Sequence, residues 1–135
     1  MTLLPVFYAH SNFGGQAPNH GQRRFICELD SFARLLEACR PLLSDGVRLG
    51  IAPHSLRAVT PDELAALIAM HPQGPIHIHA AEQQKEVQDS LAFSGKRPVE
   101  WLLEHAGLDA RWCLIHATHL TDAETDALAG MIKAL

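Results

Sequence analysis

Long apolar runs are missing from this sequence, and so are long runs of positive charge. No stretch reaches the roughly 20 residues that a membrane-spanning helix needs, so no membrane span is expected. The longest basic run is Arg23-Arg24 and the formal net charge is −4, which argues against a nucleic-acid surface. The opening MTLLPVFYAH has neither the basic start nor the small-residue cleavage site of a secretion signal. Cysteine is scarce: Cys27, Cys39 and Cys113 are the only three. Their odd number, and the lack of CxxC or Cys/His finger spacing, exclude a disulfide scaffold and a finger-type zinc site. The expectation is a reduced, cytoplasmic protein whose cysteines are small core filling.

What is present can build a core. Hydrophobic residues make up 47% of the 135 residues and charged residues 19%, which fits one domain or part of a larger one. Histidine is over-represented, with nine. Their placement matters more than their number.

The chain reads as strand, helix, strand, helix, four times over. Leu3 to His10 is a short apolar run ending in the polar loop SNFGGQAPNHGQ, which predicts a strand. Phe25, Leu29, Phe32, Leu36, Cys39 and Leu43 then fall on one helical stripe, with Pro41 breaking the last turn. Val47 to Ser55 is the second strand. Thr60-Pro61-Asp62-Glu63 is a capping box with proline at the first helical position, opening a helix that buries Leu64, Leu67 and Ile68. Pro75 to Ala81 is the third strand, followed by a short helix with Val87 and Leu91 on one side. A second helix runs from Pro98 through Trp101, Leu102 and Ala106 to Gly107. Arg111 to His119 is the fourth strand. Thr121 to Glu124 is another capping box, opening a helix through Leu128, Met131 and Ile132. Strands alternating with helices predict a parallel α/β sheet with right-handed crossovers.

Each strand is apolar at its start and polar at its end. The ends carry Tyr8 and His10, then His54, then His79 with Glu82, then His116 with Thr118 and His119. Function gathers at the C-terminal ends of strands in parallel α/β folds. Alternation places His77 and His79 on one face of the third strand, opposite Ile76, Ile78 and Ala80. On the fourth strand it sets His116 and Thr118 opposite Cys113, Ile115 and Ala117. On the second it sets Gly50, Ala52 and His54 opposite Leu49 and Ile51. One face is thus apolar enough to meet helices, while the other is small or polar, like the inside of a barrel near its mouth.

These residues suit metal-assisted hydrolysis. A neutral imidazole such as His79 is a good zinc ligand. A bound metal brings a water's pKa toward neutrality. Glu82, three residues past His79, is placed to carry that water's proton to a leaving amine, and His116 to orient the water or stabilise charge. Blander readings stand beside these. A lone H-x-x-E is a weak motif. His77 fits a hydrogen-bonded core or supporting residue better than a ligand. His71 and His105 fit solvated or dipole-favoured helix ends, and Trp101 and Trp112 fit packing. Arg57 is either a surface charge or an arginine whose planar fork receives a carboxylate.

In combination, HSLRAVTP (54–61), HIHAAEQQKEV (77–87), SGKRPVEWL (94–102) and RWCLIHATH (111–119) resemble the formimidoylglutamate deiminases of the amidohydrolase superfamily. YAHSNFGGQ (8–16) and GQRRF (21–25) fit the same family. The resemblance implies a TIM-type (β/α)8 barrel with one divalent metal, usually zinc. It implies hydrolysis of N-formimino-L-glutamate to N-formyl-L-glutamate and ammonia in histidine degradation. By motif, His79 would be the metal ligand of the fifth barrel strand, Glu82 the proton shuttle, and His116 of the sixth strand would act on the attacking water. His54 and Arg57 would hold the carboxylates of a small-molecule substrate. The family's H-x-H pair of the first strand and its aspartate of the eighth are not found here. Residues 1–135 therefore look like four consecutive βα units, strands 3 to 6, about half of such a barrel.

Two rival readings follow. A non-catalytic half-barrel would self-associate, for instance as a homodimer, through its open sheet edges. A related purine or pyrimidine deaminase would share the fold, but an uncharged ring offers His54 and Arg57 no carboxylate.

Overall fold

The computed structural model describes residues 1–71 and 73–134, with side chains described as far as Met131. The first strand is two pieces, β1 (Thr2–Leu3) and β2 (Val6–Phe7), and the second is likewise β3 (Arg48–Leu49) and β4 (Ala52–Pro53). Pairing is parallel and keeps one register through both pieces: Thr2 with Arg48, Leu3 with Leu49, Val6 with Ala52 and Phe7 with Pro53. Pro5 lies at the interruption. It has no N–H to give the ladder, yet its carbonyl still accepts the Ala52 N–H at 2.9 Å. β5 (Ile76–Ala80) and β6 (Trp112–His116) form the longest ladder, from Ile76 beside Trp112 to Ala80 beside His116. Bridges from Ile51 to Ile76 and from Ser55 to His79 join the second strand to β5. The four predicted strands thus lie side by side in chain order, all parallel.

Among the described residues, five α-helices connect and follow them: α1 (Leu29–Cys39), α2 (Pro61–Met70), α3 (Gln84–Ser94), α4 (Pro98–His105) and α5 (Asp122–Ala134). The predicted capping box of α2 is present in full: Thr60 Oγ1 accepts the Glu63 N–H, and the Glu63 carboxylate accepts the Thr60 N–H. The box at Thr121 and Glu124 is also formed. Phe7, Phe32, Leu36, Ile51, Leu64, Leu67, Ile76, Ile78, Val99 and Leu102 make one core between the sheet and its helices. The Phe7 and Phe32 rings meet edge to face at 5.5 Å. Gly50 permits the second and third strands to approach, since a Cβ there would sit 2.5 Å from the Pro75 carbonyl oxygen.

Some expectations fail locally. The helical stripe predicts Phe25 on α1. Phe25 lies instead in a 3-10 turn (Arg23–Phe25) ahead of the helix and is 60% exposed. Pro41 ends the regular helix as expected, through a 3-10 turn (Arg40–Leu42). Leu91 of α3 is largely exposed, and the buried side of that helix is Glu86, Val87 and Ser90. Cys27 and Cys39 are half-buried, but Cys113 is exposed on β6. His71 sits at the helix end as expected, as the C-cap of α2, but it is not solvated. It is buried, and its Nε2–H donates to the Leu49 carbonyl at 2.9 Å, tying the end of α2 to the sheet. His105 matches its reading: it is exposed in the last turn of α4, stacked on Trp101 at 4.7 Å. The Ile132 side chain lies outside the described residues.

Candidate functional site

Alternation on β5 is as predicted. Ile76, Ile78 and Ala80 are buried, and His77 and His79 are half-buried on the other face. The fourth strand differs. Paired residues of a parallel ladder share a face, so Cys113 beside His77 and Ile115 beside His79 lie on the histidine face. His116 pairs with Ala80 and, by alternation alone, would point the other way. It reaches the histidine face because the strand ends there. His116 has φ +69° and Ala117 φ +48°, both left-handed, and the Ala117 N–H bonds back to the Ala80 carbonyl at 3.0 Å. The His116 ring stacks on the His79 ring at 5.3 Å.

His54 arrives by a related irregularity. The register between the second strand and β5 slips by one residue between the Ile51–Ile76 and Ser55–His79 bridges. The His54 ring lies 4.8 Å from that of His79 and 4.8 Å from that of Tyr8. Four strand ends thus deliver a row of rings: Tyr8, His54, His79, His116.

Hydrogen bonds set the states of these rings. His79 Nδ1–H donates to the His54 carbonyl oxygen at 2.8 Å, which leaves the lone pair on Nε2. A ring nitrogen fixed this way is the usual partner arrangement of a metal-binding histidine. His54 Nδ1 is 3.2 Å from Ser55 Oγ. Burial, with the neighbouring His79 and Arg57 charges adding to it, pushes the His54 pKa down to about 4. His54 is therefore neutral at pH 7.

Glu82 follows a left-handed Ala81, φ +51°. Its Oε1 stands 3.8 Å from His116 Nε2, too far for a hydrogen bond and near enough for a shared ligand between them. Arg57 lies close enough to act electrostatically on both His54 and Asp89. Among the described residues its Nε is buried without a hydrogen-bond partner, and a buried guanidinium N–H normally has one. Of the sequence-predicted residues, then, His54, His79, His116 and Glu82 converge, and Arg57 stands beside His54 with unmet donor capacity. Among the described residues, no three His, Cys, Asp or Glu side chains are grouped to hold a metal. His79 fits as one ligand, not as a site.

Three features escaped the sequence. His10 Nε2–H donates to the Glu63 carboxylate at 2.9 and 3.0 Å, joining the first strand's end to the cap of α2. Arg97 binds Glu124 at 2.9 Å and also donates to the His119 carbonyl, which holds the loop after β6. Glu86, buried, accepts the N–H groups of Ala81 and Glu82. Its place three residues after Gln83, the N-cap of α3, was the only signal in the sequence.

Comparison with known proteins gives the family and the fold. Residues 15–134 match the amidohydrolase family. The chain is 53% identical over 131 residues to a formimidoylglutamate deiminase of Pseudomonas aeruginosa, covering 96% of this chain and 29% of that protein. An amidohydrolase from Brucella melitensis superposes with a TM-score of 0.93 at 63% identity, over 96% of this chain and 30% of the other. A zinc-bound adenosine deaminase from Xanthomonas campestris superposes with a TM-score of 0.70 at 24% identity, over 95% of this chain and 28% of the other, which speaks to fold alone. The chain spans less than a third of each of these proteins.

Proposed function

This chain belongs to the amidohydrolase family, and we propose on that premise that it is the segment bearing strands 3 to 6 of a metal-dependent (β/α)8 barrel, about half of it. The reaction is hydrolysis of the formimino group of N-formimino-L-glutamate to N-formyl-L-glutamate and ammonia, a step of histidine degradation in the cytoplasm. One observation carries this reading. Glu82 and His116 face each other across 3.8 Å beside a His79 ring whose Nδ1 is committed and whose Nε2 is not. The P. aeruginosa deiminase, at 53% identity, supplies the substrate.

His79 would hold a divalent metal, zinc by family, through Nε2, with the other ligands supplied from outside the described residues. When bound, the metal makes a water acidic enough to attack at neutral pH. The chain's own groups then have these tasks. Glu82 takes a proton from the water as its oxygen adds to the C=N carbon and delivers it to the imino nitrogen; the remaining O–H proton follows as the carbonyl forms, the C–N bond breaks and ammonia leaves. His116 steadies the water and the charge that develops on it. Arg57 receives a substrate carboxylate through its planar guanidinium. His54 is neutral and assists as a hydrogen-bond donor.

The 135-residue chain by itself is inactive in this reading, because a catalytic zinc site takes about three protein ligands and His79 is one. Homodimerisation is the second reading, favoured by the exposure of Val6 and Cys113, which lie with His77 on the uncovered face of the outer strands. The test is a substrate panel on the full reading frame that carries this segment. N-formimino-L-glutamate should release ammonia and adenosine should not. The reverse preference would replace the deiminase with a purine deaminase.

A further inference from the structure

One buried acid beside the site has no task in the reaction above. Glu86, on the first turn of α3, is 3% exposed. Its Oε1 accepts the Ala81 N–H at 3.1 Å and its Oε2 accepts the Glu82 N–H at 3.0 Å. An ordinary capping acid at this position would bond the N–H of the N-cap residue, Gln83. Glu86 reaches past it to the two residues that precede it.

Those two residues form the turn from which Glu82 projects. Ala81 there is fully buried and left-handed, a conformation alanine seldom holds without support. The carbonyls of the same turn are also taken. Ala80 O accepts the Ala117 N–H and Ala81 O accepts the His119 N–H, both at 3.0 Å. These donors lie in and just after the left-handed exit that turns His116 toward Glu82. The turn is thus clamped on one side by Glu86 and on the other by the loop that carries His116.

We propose that Glu86 is a positioning residue that locks the Ala81–Glu82 turn and so fixes the Glu82 carboxylate opposite His116. The proposal rests on Glu82 being the proton carrier. Glu86 touches neither substrate nor metal. It acts through the backbone, as an outer partner does for a reacting group.

Hydrogen exchange of single amides in this chain, followed by NMR, tests the clamp. Glu86→Ala should speed exchange at Ala81 and Glu82 by about tenfold or more, while Ile78 in the middle of β5 stays as slow as in the wild type. Glu86→Gln keeps one acceptor oxygen and should release one of the two amides. It decides the matter if the alanine variant does not fold. In the full reading frame, Glu86→Ala should lower kcat for N-formimino-L-glutamate by about 10–100-fold with KM unchanged, and Glu86→Gln should fall between. Wild-type exchange at Ala81 and Glu82 in the glutamine variant, or a loss confined to KM, overturns the proposal. Glu82→Gln separates the two claims. It should leave the exchange of both amides slow while removing activity, and an active Glu82→Gln would overturn the role of Glu82, not the clamp.

Discussion

His79 donates its Nδ1–H to the main-chain oxygen of His54 at 2.8 Å. This bond joins two adjacent strands and selects one tautomer of the third strand's histidine. A proton on Nδ1 leaves Nε2 as the metal-accepting nitrogen. The ring nitrogens of His79 in the 135-residue chain should therefore report Nδ1 protonated and Nε2 bare by nitrogen-15 NMR at pH 8. A proton on Nε2 would remove His79 as a ligand in this conformation.

The cap of α2 should be worth measuring because it also anchors the first strand. Thr60→Ala removes the acceptor for the Glu63 N–H and should cost about 1 kcal/mol in urea unfolding. Glu63→Ala should cost more, since the same carboxylate also receives His10. Equal losses from the two substitutions would mean that the His10 bond contributes nothing.

Glu124 sets a pH dependence away from the histidines. Burial alone would raise its pKa, but the Thr121 N–H, the Arg97 guanidinium and the Thr121 hydroxyl more than offset that and hold it below its ordinary 4.5. A carboxyl with a lowered folded-state pKa contributes stability above its unfolded pKa and loses it as pH falls through the folded value. Wild-type stability should fall below about pH 4.5 more steeply than that of Glu124→Gln. Parallel curves for the two proteins would exclude this pair as a source of acid sensitivity.

The left-handed exit of β6 has its own signature. Ala117 holds φ +48° and is only half-buried. Glycine adopts that conformation freely, so Ala117→Gly should stabilise the chain by about 0.5–1 kcal/mol, net of the entropy glycine adds to the unfolded state. A loss of stability would show that the methyl group packs rather than strains.

Much of this was legible in the sequence because it depends on local rules. The period of two in Ile76–Ala80 revealed the buried and open faces of β5, and Thr60-Pro61-Asp62-Glu63 announced a helix start. His54, His79, Glu82 and His116 were readable as strand-end residues, and they converge. What stayed hidden depends on contacts between distant parts of the chain. Strict alternation put His116 on the same side as Thr118 and away from Ile115, whereas the ladder puts Ile115 beside His79 and a left-handed turn brings His116 back. Nothing local marks a histidine for positive φ, and the bond from Ala117 to Ala80 is made across strands. The solvated reading of His71 failed for the same reason, since His71 ends α2 and its partner is Leu49, on β3. Glu86 was not singled out by its sequence context, and only the fold shows that it faces inward.

The central claim is that Glu82, opposite His116, moves the proton in a formimino hydrolysis that this segment serves but does not complete. Ammonia release from N-formimino-L-glutamate, with zinc present, tests it in three purified proteins: the full reading frame, the same frame with Glu82→Gln, and the 135-residue chain. The account predicts turnover in the first, a loss of about 10²–10⁴-fold in the second, and none in the third. Full activity in the Glu82→Gln protein, or turnover by the 135-residue chain alone, would contradict it.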